Sequence, residues 1–525
     1  MKRKILWVDD EIELLGAHII FLEKKGYDLT PITNGEDAIA MIKEETFDAV
    51  LLDEMMPGMD GLSVLIEIKN IDPGLPVVMI TKSEEEQIMD DAIGSRISDY
   101  LTKPVNPSQI YTTLKRLLDS SQLRGERVSR EYARQTGQNR IALNIGLDHD
   151  GWAQMHASLS RWDIEIEEYN DPGLKQIHSD QKKEFRREFS KYVEKNYHSW
   201  IQGTCPPYNS GRRDGPDLSH NILDKYVTPR LKNGEKVYLV VIDCFRLDHF
   251  LAIEPKLEKL FNLERHYYYS ILPTATPFSR NALFAGLLPD EINNIYPDIW
   301  KSAGHDVISM NRYENSLLEK YLGRKGIHLD RKIIYEKILK TSDAQALLKR
   351  LGSLKQNRFI SIVYNFIDLL SHQRSENDIL MEIAPDEAAF RSLTTAWFDH
   401  SVLLDIFRFI ADEGATLILT TDHGSIIGER ASIVRGDRTT STNIRYKYGR
   451  KLKCNPSEVF CMDNPLEYGL PEIGIGTNYL FAKEDYYLIY QNNFRQFEKI
   501  YQNTFQHGGI SMEEMILPVG ILTSR

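Results

Sequence analysis

Cysteine is scarce. Four occur in 525 residues, Cys205, Cys244, Cys454 and Cys461, and no two stand at C-x-x-C spacing. That excludes a disulfide-built scaffold, a zinc knuckle and a dithiol redox motif, and it fits thiols kept reduced in the cytoplasm. Long hydrophobic runs are missing too. No window approaches the roughly 20 apolar residues of a membrane-spanning helix, so no membrane insertion is expected. The basic start Met1-Lys2-Arg3-Lys4 leads into an apolar run of only Ile5 to Val8, too short for the core of a secretory signal. Positive charge is not in excess: 64 Lys and Arg stand against 76 Asp and Glu, a net charge of -12. Stable binding to duplex DNA needs a basic face, which this balance argues against. The run QKKEFRREF is short and reads as a solvated helix face, and no helix-turn-helix pattern accompanies it. Internal repeats and low-complexity tracts are also absent.

What remains is an ordinary globular composition, 42% apolar and 27% charged, on a chain long enough for two to four domains. Residues 1–120 alternate short apolar runs (KILWVDD, DLTPIT, DAVLLD, PVVMIT, DYLTKP) with helical periods, which predicts a parallel sheet of flavodoxin-like order. Residues 121–205 carry no strand signal. There Phe185, Phe189, Tyr192 and Val193 form one stripe of an amphipathic helix, as in a small bundle. Residues 206–219, dense in Gly, Pro, Asn and Asp, read as a loop. From 220 to 525 the strand-helix alternation resumes on a larger scale (VYLVVID, FISIVYNFID, ATLILTTDHG, YLIYQNNF). One long helix, SLTTAWFDHSVLLDIFRFIADEG, is expected to feed the third of these strands. The fold class is α/β throughout, with a helical connector.

In the first region Asp9 and Asp10 end the first strand and Asp53 ends the third. Strand ends of a parallel sheet share one edge, so three carboxylates meet there in a hard-oxygen pocket suited to Mg²⁺. One of them can accept a phosphoryl group. Thr81 and Lys103, at the ends of the fourth and fifth strands, can reach the transferred phosphate, and Tyr100 can swing inward when Thr81 moves. This set resembles response-regulator receiver domains. The resemblance implies Asp53 as phosphoacceptor, Asp9 and Asp10 as magnesium ligands with Met55 giving a backbone carbonyl, Thr81, Tyr100 and Lys103 as the switch, and a histidine kinase as phosphodonor.

The last region scatters a second set over its length: Asp243, Thr276, Asp368, His372, Asp422, His423 and His507. Three carboxylates, three imidazoles and a hydroxyl can hold two borderline divalent cations with the hydroxyl as nucleophile. Taken singly, each has a plainer reading: a helix cap for Asp243, a local pair for Asp368 and His372, a turn histidine for His507. Together they fall at the ends of separate strands of one sheet, and those ends converge.

The pattern resembles the alkaline phosphatase superfamily and, within it, the PglZ branch: Asp at a strand end, a nucleophile segment (PTATPFSRNALFAG), D-x-x-x-H, D-H-G, and a late His-Gly followed by SMEEMILP. The likeness implies one metal on Asp243, Asp422, His423 and Thr276 and a second on Asp368, His372 and His507. Zinc suits such mixed ligands, with manganese as the alternative. In relatives the nucleophile stands ten residues before a glycine, and members of the sulfatase type carry an arginine four residues after it. Gly286 and Arg280 fit Thr276 and not Thr274, so Thr276 is the expected nucleophile, Thr274 the reserve, and Arg280 a group that steadies the substrate phosphate. A threonine nucleophile tilts the substrate toward a phosphodiester, of a nucleotide or oligonucleotide.

Receiver, helical connector and PglZ-like domain in this order resemble the PorX group of response regulators. That likeness implies a link to type IX secretion and a sigma factor or secretion-system component as partner. Phosphorylation of Asp53 would reorient Thr81 and Tyr100 and change the receiver face around the fourth and fifth elements, so a phosphorylation-dependent homodimer is expected. The competing reading is a signalling adaptor whose metal site is mainly structural.

Overall fold

The computed structural model describes residues 2–81, 97–169, 171–204, 215–301, 311–436, 443–491 and 494–525. Cys205, most of the expected 206–219 loop and part of the polar stretch that begins DRTTST lie outside them. The chain divides into two compact units, 1–138 and 139–525.

The first unit is a five-stranded parallel sheet of order β2-β1-β3-β4-β5. Its strands are β1 (Arg3–Val8), β2 (Tyr27–Ile32), β3 (Ala49–Asp53), β4 (Val77–Thr81) and β5 (Asp99–Thr102). Helices α1 (Gly16–Lys24), α2 (Gly35–Glu44) and α3 (Gly61–Ile71) alternate with them, and α4 (Pro107–Ile145) follows. Successive β1 residues face opposite ways: Ile5 and Trp7 enter one core, Leu6 and Val8 the other. Two buried faces explain why these strands are nearly unbroken apolar runs.

In the second unit a six-stranded sheet has the order β7-β18-β10-β6-β9-β8, with β8 (Ile334–Ile338) at one edge. Its central strands are β6 (Val237–Ile242), β9 (Phe359–Tyr364) and β10 (Thr416–Thr420), all parallel. The long β18 (Ile516–Ser524) pairs antiparallel with β10 and with β7 (Phe261–Tyr269). Period-two patterning divides the core: Tyr238, Val240 and Ile242 of β6 face one apolar layer, Val237, Leu239 and Val241 the other. The expected single helix before β10 is two, Glu387–His400 and Val402–Asp412. Ser401 between them is extended (ψ 149°) and bonds through its hydroxyl to Phe398 O at 3.0 Å, the local competition by which serine favours helix ends. His400 is therefore an exposed helix terminus.

Helices α5 (His149–Tyr169) and α6 (Pro172–Ile201) have no core of their own. Trp152, Phe185, Phe189, Val193 and Tyr197 pack in one cluster with Tyr269, Leu272, Phe278, Met512 and Met515 of the larger α/β region. The expected stripe is present, and it is buried against the neighbouring sheet. Polar groups at this junction are tightly paired. Arg246 and Asp248 make two hydrogen bonds of 2.8 and 3.1 Å, and Lys182 bridges Asp163 and Glu387 at 2.9 and 2.8 Å.

Two histidines beside this network are buried with unbonded ring nitrogens, Nε2 of His156 and both nitrogens of His249. Burial, against the pull of nearby carboxylates, pushes each down to about 4. Both groups are thus depressed when folded, so the unfolded chain takes up protons first as the pH falls. Stability is full above pH 6.5 and declines toward pH 4, by about 3 kcal/mol per histidine. Urea unfolding of the tryptophan-rich unit across this window is expected to show the decline, and His249→Phe is expected to flatten it.

Candidate functional site

Two clusters of ionisable side chains sit at sheet edges, one in each unit. In the first, Asp9 and Asp10 follow β1 directly and Asp53 is the last residue of β3, and one oxygen of each lies within 4.8 Å of the others. Lys103, just past β5, places Nζ 2.9 Å from Asp53 Oδ2 and 3.1 Å from Asp9 Oδ2. Burial raises the Asp53 carboxyl despite Lys103 beside it. Burial alone would lower the Lys103 ammonium, but its bonds to Asp53 and Asp9 win and hold it charged. Thr81 ends β4, buried, opposite Thr102. Tyr100 is 45% exposed and Met55 64% exposed.

The second cluster assembles from five segments. Asp243 follows β6, and Asp422 and His423 follow β10. Helix α7 (Leu247–Leu257) follows Asp243, α8 (Thr276–Ala285) follows β7, and Asp368 and His372 lie on α9 (Phe366–Glu376), which starts two residues after β9. Thr276 is the first residue of α8, after β7, and His507 precedes the start of antiparallel β18. All these termini therefore meet at one edge of the sheet. Thr276 Oγ1 lies 2.9 Å from His423 Nε2 and 3.4 Å from Asp243 Oδ1. His423 and His507 stack with ring centroids 4.1 Å apart. Both His507 Nε2, at 3.7 Å, and His372 Nε2, at 3.5 Å, approach Asp368 Oδ1.

The grouping differs from the expected division. Ligand atoms fall into two tight sets, Asp243 with Asp422 and His423, and Asp368 with His423 and His507. His423 is common to both, while His372, 53% exposed, stands at the rim. Thr274 turns away: its Oγ1 donates to Gly509 O at 2.9 Å and accepts from Gly508 N at 3.0 Å. Ser279 bonds back to Ala275 O within its helix turn. Arg280 departs from the expectation of an open phosphate contact. It is 1% exposed, with Nη1 2.6 Å from Asp243 Oδ2 and Nε 2.6 Å from Glu314 Oε1. Buried carboxylates demand a nearby cation, and Arg280 supplies it.

Charge in the site is unbalanced in a telling way. Burial and Asp243 push Asp422 up to about 6, and burial with Asp243 also raises Asp368. Asp243 itself is held low, because Arg280 and His423 outweigh its burial. Burial and the neighbouring imidazoles drive His507 well down, so its ring is neutral. Asp368 Oδ1, Asp422 Oδ2 and His507 Nδ1 are buried without hydrogen-bond partners. Neutral imidazole, unbonded carboxylate oxygens and a surplus of negative charge fit divalent cations. Cys244, between Asp243 and the next helix, has φ 61°, a strained backbone of the kind found at functional sites.

Sequence reasoning missed two participants. Asn365 donates Nδ2 to Asp243 Oδ2 at 2.8 Å, and its place at the end of β9 was the available signal. Glu314, the second partner of Arg280, sits on a helix with no motif around it. The polar stretch DRTTSTNIRYKYGRKLKC is, in its described part, structural: Tyr446–Arg450 forms a strand, and Arg445 is buried on Glu514 at 3.1 Å.

Comparison with known proteins agrees with this layout. The pattern of the BREX system PglZ alkaline phosphatase-like domain matches residues 222–521, more than half of the chain. The response regulator receiver domain matches residues 5–115 and the PorX response regulator linker domain residues 122–201. Among curated proteins, the chain is 33% identical over 125 residues to the alkaline phosphatase synthesis transcriptional regulatory protein PhoP of Bacillus subtilis, covering 23% of this chain and 51% of that protein. It is 35% identical over 115 residues to the regulatory protein VanRc of Enterococcus gallinarum, covering 22% and 49%. The chain thus spans about half the length of these relatives. Among solved structures, the receiver domain of NtrX from Brucella abortus is 31% identical, with a TM-score of 0.21 over 22% of this chain and 98% of that one. No helix among the described residues is long and apolar enough to cross a membrane.

Proposed function

The chain belongs to the family of BREX-system PglZ alkaline phosphatase-like domains, here behind a receiver and a PorX linker, and from that premise we propose a two-component response regulator whose phosphorylation at Asp53 controls a metal-dependent phosphodiesterase. The observation that carries this reading is the Thr276 hydroxyl, at the start of a helix, beside Asp243 and 2.9 Å from Nε2 of His423, the residue common to both ligand sets.

Two divalent cations, zinc by the chemistry of the ligands, would supply the charge that lowers the hydroxyl pKa and offsets the phosphoryl oxygens. Asp243, Asp422 and His423 would hold one, and Asp368, His507 and His372 the other, with His423 close enough to serve both. Thr276 Oγ1 forms the new bond to phosphorus, its proton passing to solvent, while the bond from phosphorus to the leaving oxygen breaks. The positive end of α8 favours the charge that develops there. Water then cleaves the phosphothreonine and restores the hydroxyl. Asn365 keeps Asp243 in place by a hydrogen bond to Oδ2, and Arg280 by an ion pair with the same oxygen.

The substrate class we assign is a phosphodiester of a nucleotide or oligonucleotide. Turnover of bis(4-nitrophenyl) phosphate, lost with a chelator and regained with zinc or manganese, is the expected result. No turnover with either metal would leave the adaptor reading, with protein binding as the output.

On the receiver side, Asp53 beside Lys103 and the paired aspartates supports phosphoryl acceptance from a histidine kinase, with Mg²⁺ on Asp9, Asp10, Asp53 and the Met55 carbonyl, and a switch through Thr81 and Tyr100. The match to the PorX linker supports a role in type IX secretion, with a sigma factor or secretion-system component as partner. Beryllofluoride, which mimics an acyl phosphate, is expected to shift the mass in light scattering from 60.6 kDa toward twice that, and Asp53→Asn to block the shift. An unchanged mass would remove dimerisation from the mechanism.

A further inference from the structure

Helix α6 lies in the linker by sequence, yet side chains on it hold the backbone of the hydrolase site. Arg186 donates from Nε to Glu513 Oε1 at 2.8 Å, and its Nη2 is 2.7 Å from the same oxygen. Glu513 belongs to α11 (Met512–Met515), with α10 being Val402–Asp412. The carbonyls of this short helix close over the loop that carries His423. Gly424 N donates to Glu514 O at 3.2 Å, and a Cβ at Gly424 would stand 1.9 Å from Glu513 O. Any shift of α11 therefore meets the ligand loop directly. Ser190, one turn along α6, reaches Ile510 O at 3.4 Å, three residues past His507. Further along, the buried Tyr197 hydroxyl accepts the Leu272 N–H at 2.7 Å, four residues before Thr276.

These residues recur at the spacing of successive helical turns, so they share one face of a rigid rod. The rod thus touches the segment after His507 and the turn before Thr276 directly, and it reaches the loop of His423 through α11. We propose that α6 is a positioning element of the hydrolase site, with Tyr197 setting the nucleophile's turn and Arg186 setting the metal-ligand loop. The inference rests on the phosphodiesterase reading and deepens it. A displacement of α6 by about 1 Å would move nucleophile and ligands relative to one another, enough to change the rate by about a hundredfold.

The test uses the full chain with Tyr197→Phe, which keeps the buried ring and removes the acceptor, and Arg186→Lys, which keeps the charge. Lys191→Ala, on the same helix with its side chain 61% exposed, is the control. Hydrolysis of bis(4-nitrophenyl) phosphate by metal-loaded protein is measured with hydrogen exchange of the peptides covering 270–276 and 422–426. Tyr197→Phe is expected to lower kcat by about tenfold or more with KM within about twofold, and to speed exchange in 270–276 while the central strands stay protected. Arg186→Lys is expected to speed exchange in 422–426 and to weaken zinc binding. Lys191→Ala is expected to match the parent. Variants with parental kcat and parental local exchange would overturn the proposal, as would exchange that rises evenly over the whole sheet. If the parent itself hydrolyses no phosphodiester, the functional reading fails, and the exchange pattern alone decides whether α6 positions these segments.

Discussion

Replacing Thr276 by Ala is expected to lower phosphodiester turnover by at least about three orders of magnitude while the metal content of the protein stays unchanged. The hydroxyl is the atom that joins the substrate, and Thr276 Oγ1 is held between His423 and Asp243 without being needed to hold either. The three carboxylates and three imidazoles remain in the variant, so cations remain bound. Thr276→Ser restores a hydroxyl on the same helix start and is expected to regain part of the rate. Thr274 gives the internal comparison. It shares the turn but spends its hydroxyl on Gly508 and Gly509, so Thr274→Ala is expected to keep a measurable rate and to lose some stability. Steady-state kinetics with metal analysis on the same samples separates these outcomes. Full turnover in Thr276→Ala would mean that water, not the side chain, attacks phosphorus.

How much of the site is legible in the sequence depends on what kind of contact each residue makes. Asp9, Asp53, Asp243 and Asp422 were legible because a carboxylate directly after a buried apolar run marks the C-terminal edge of a parallel sheet, where sites form. Asp368 and His372 were legible as a pair because four residues along a helix is one turn. The sharing of His423 between two ligand sets was not legible, since it depends on strand order and ring rotation. Glu314 and Asn365 were hidden for a related reason: each acts on another side chain across the fold, and no local pattern announces that. The amphipathic stripe on 181–201 correctly gave a helix with one apolar face. A stripe does not say what covers it, and here the cover is the PglZ-like α/β region. The break at Ser401 was missed because the apolar periodicity runs straight through it.

Arg280→Met should cost the metal-free protein about 3–5 kcal/mol, because removing one member of a buried ion network leaves its partners uncompensated. Arg280 is 1% exposed and stands 2.6 Å from Asp243 Oδ2, 2.6 Å from Glu314 Oε1 and 3.6 Å from Asp422 Oδ2. Lys337, 3.2 Å from Glu314 Oε2, covers part of the charge on Glu314 and lowers the Asp243 carboxyl less than Arg280 does. Without the guanidinium, Asp243 loses the largest influence that holds its carboxyl low, and Asp422 is already raised to about 6 by burial and by Asp243. Zinc should therefore recover more stability in the variant than in the parent, since a bound cation supplies the missing positive charge and favours the folded state by mass action. Arg280→Lys should not suffice, because one ammonium cannot bridge Asp243 and Glu314 as a planar fork does. Urea unfolding with and without zinc measures both effects. Equal stability of Arg280→Met and parent in the metal-free state would show that the acidic cluster does not depend on this arginine, and the assignment of Arg280 as the charge partner of Asp243 would fall with it.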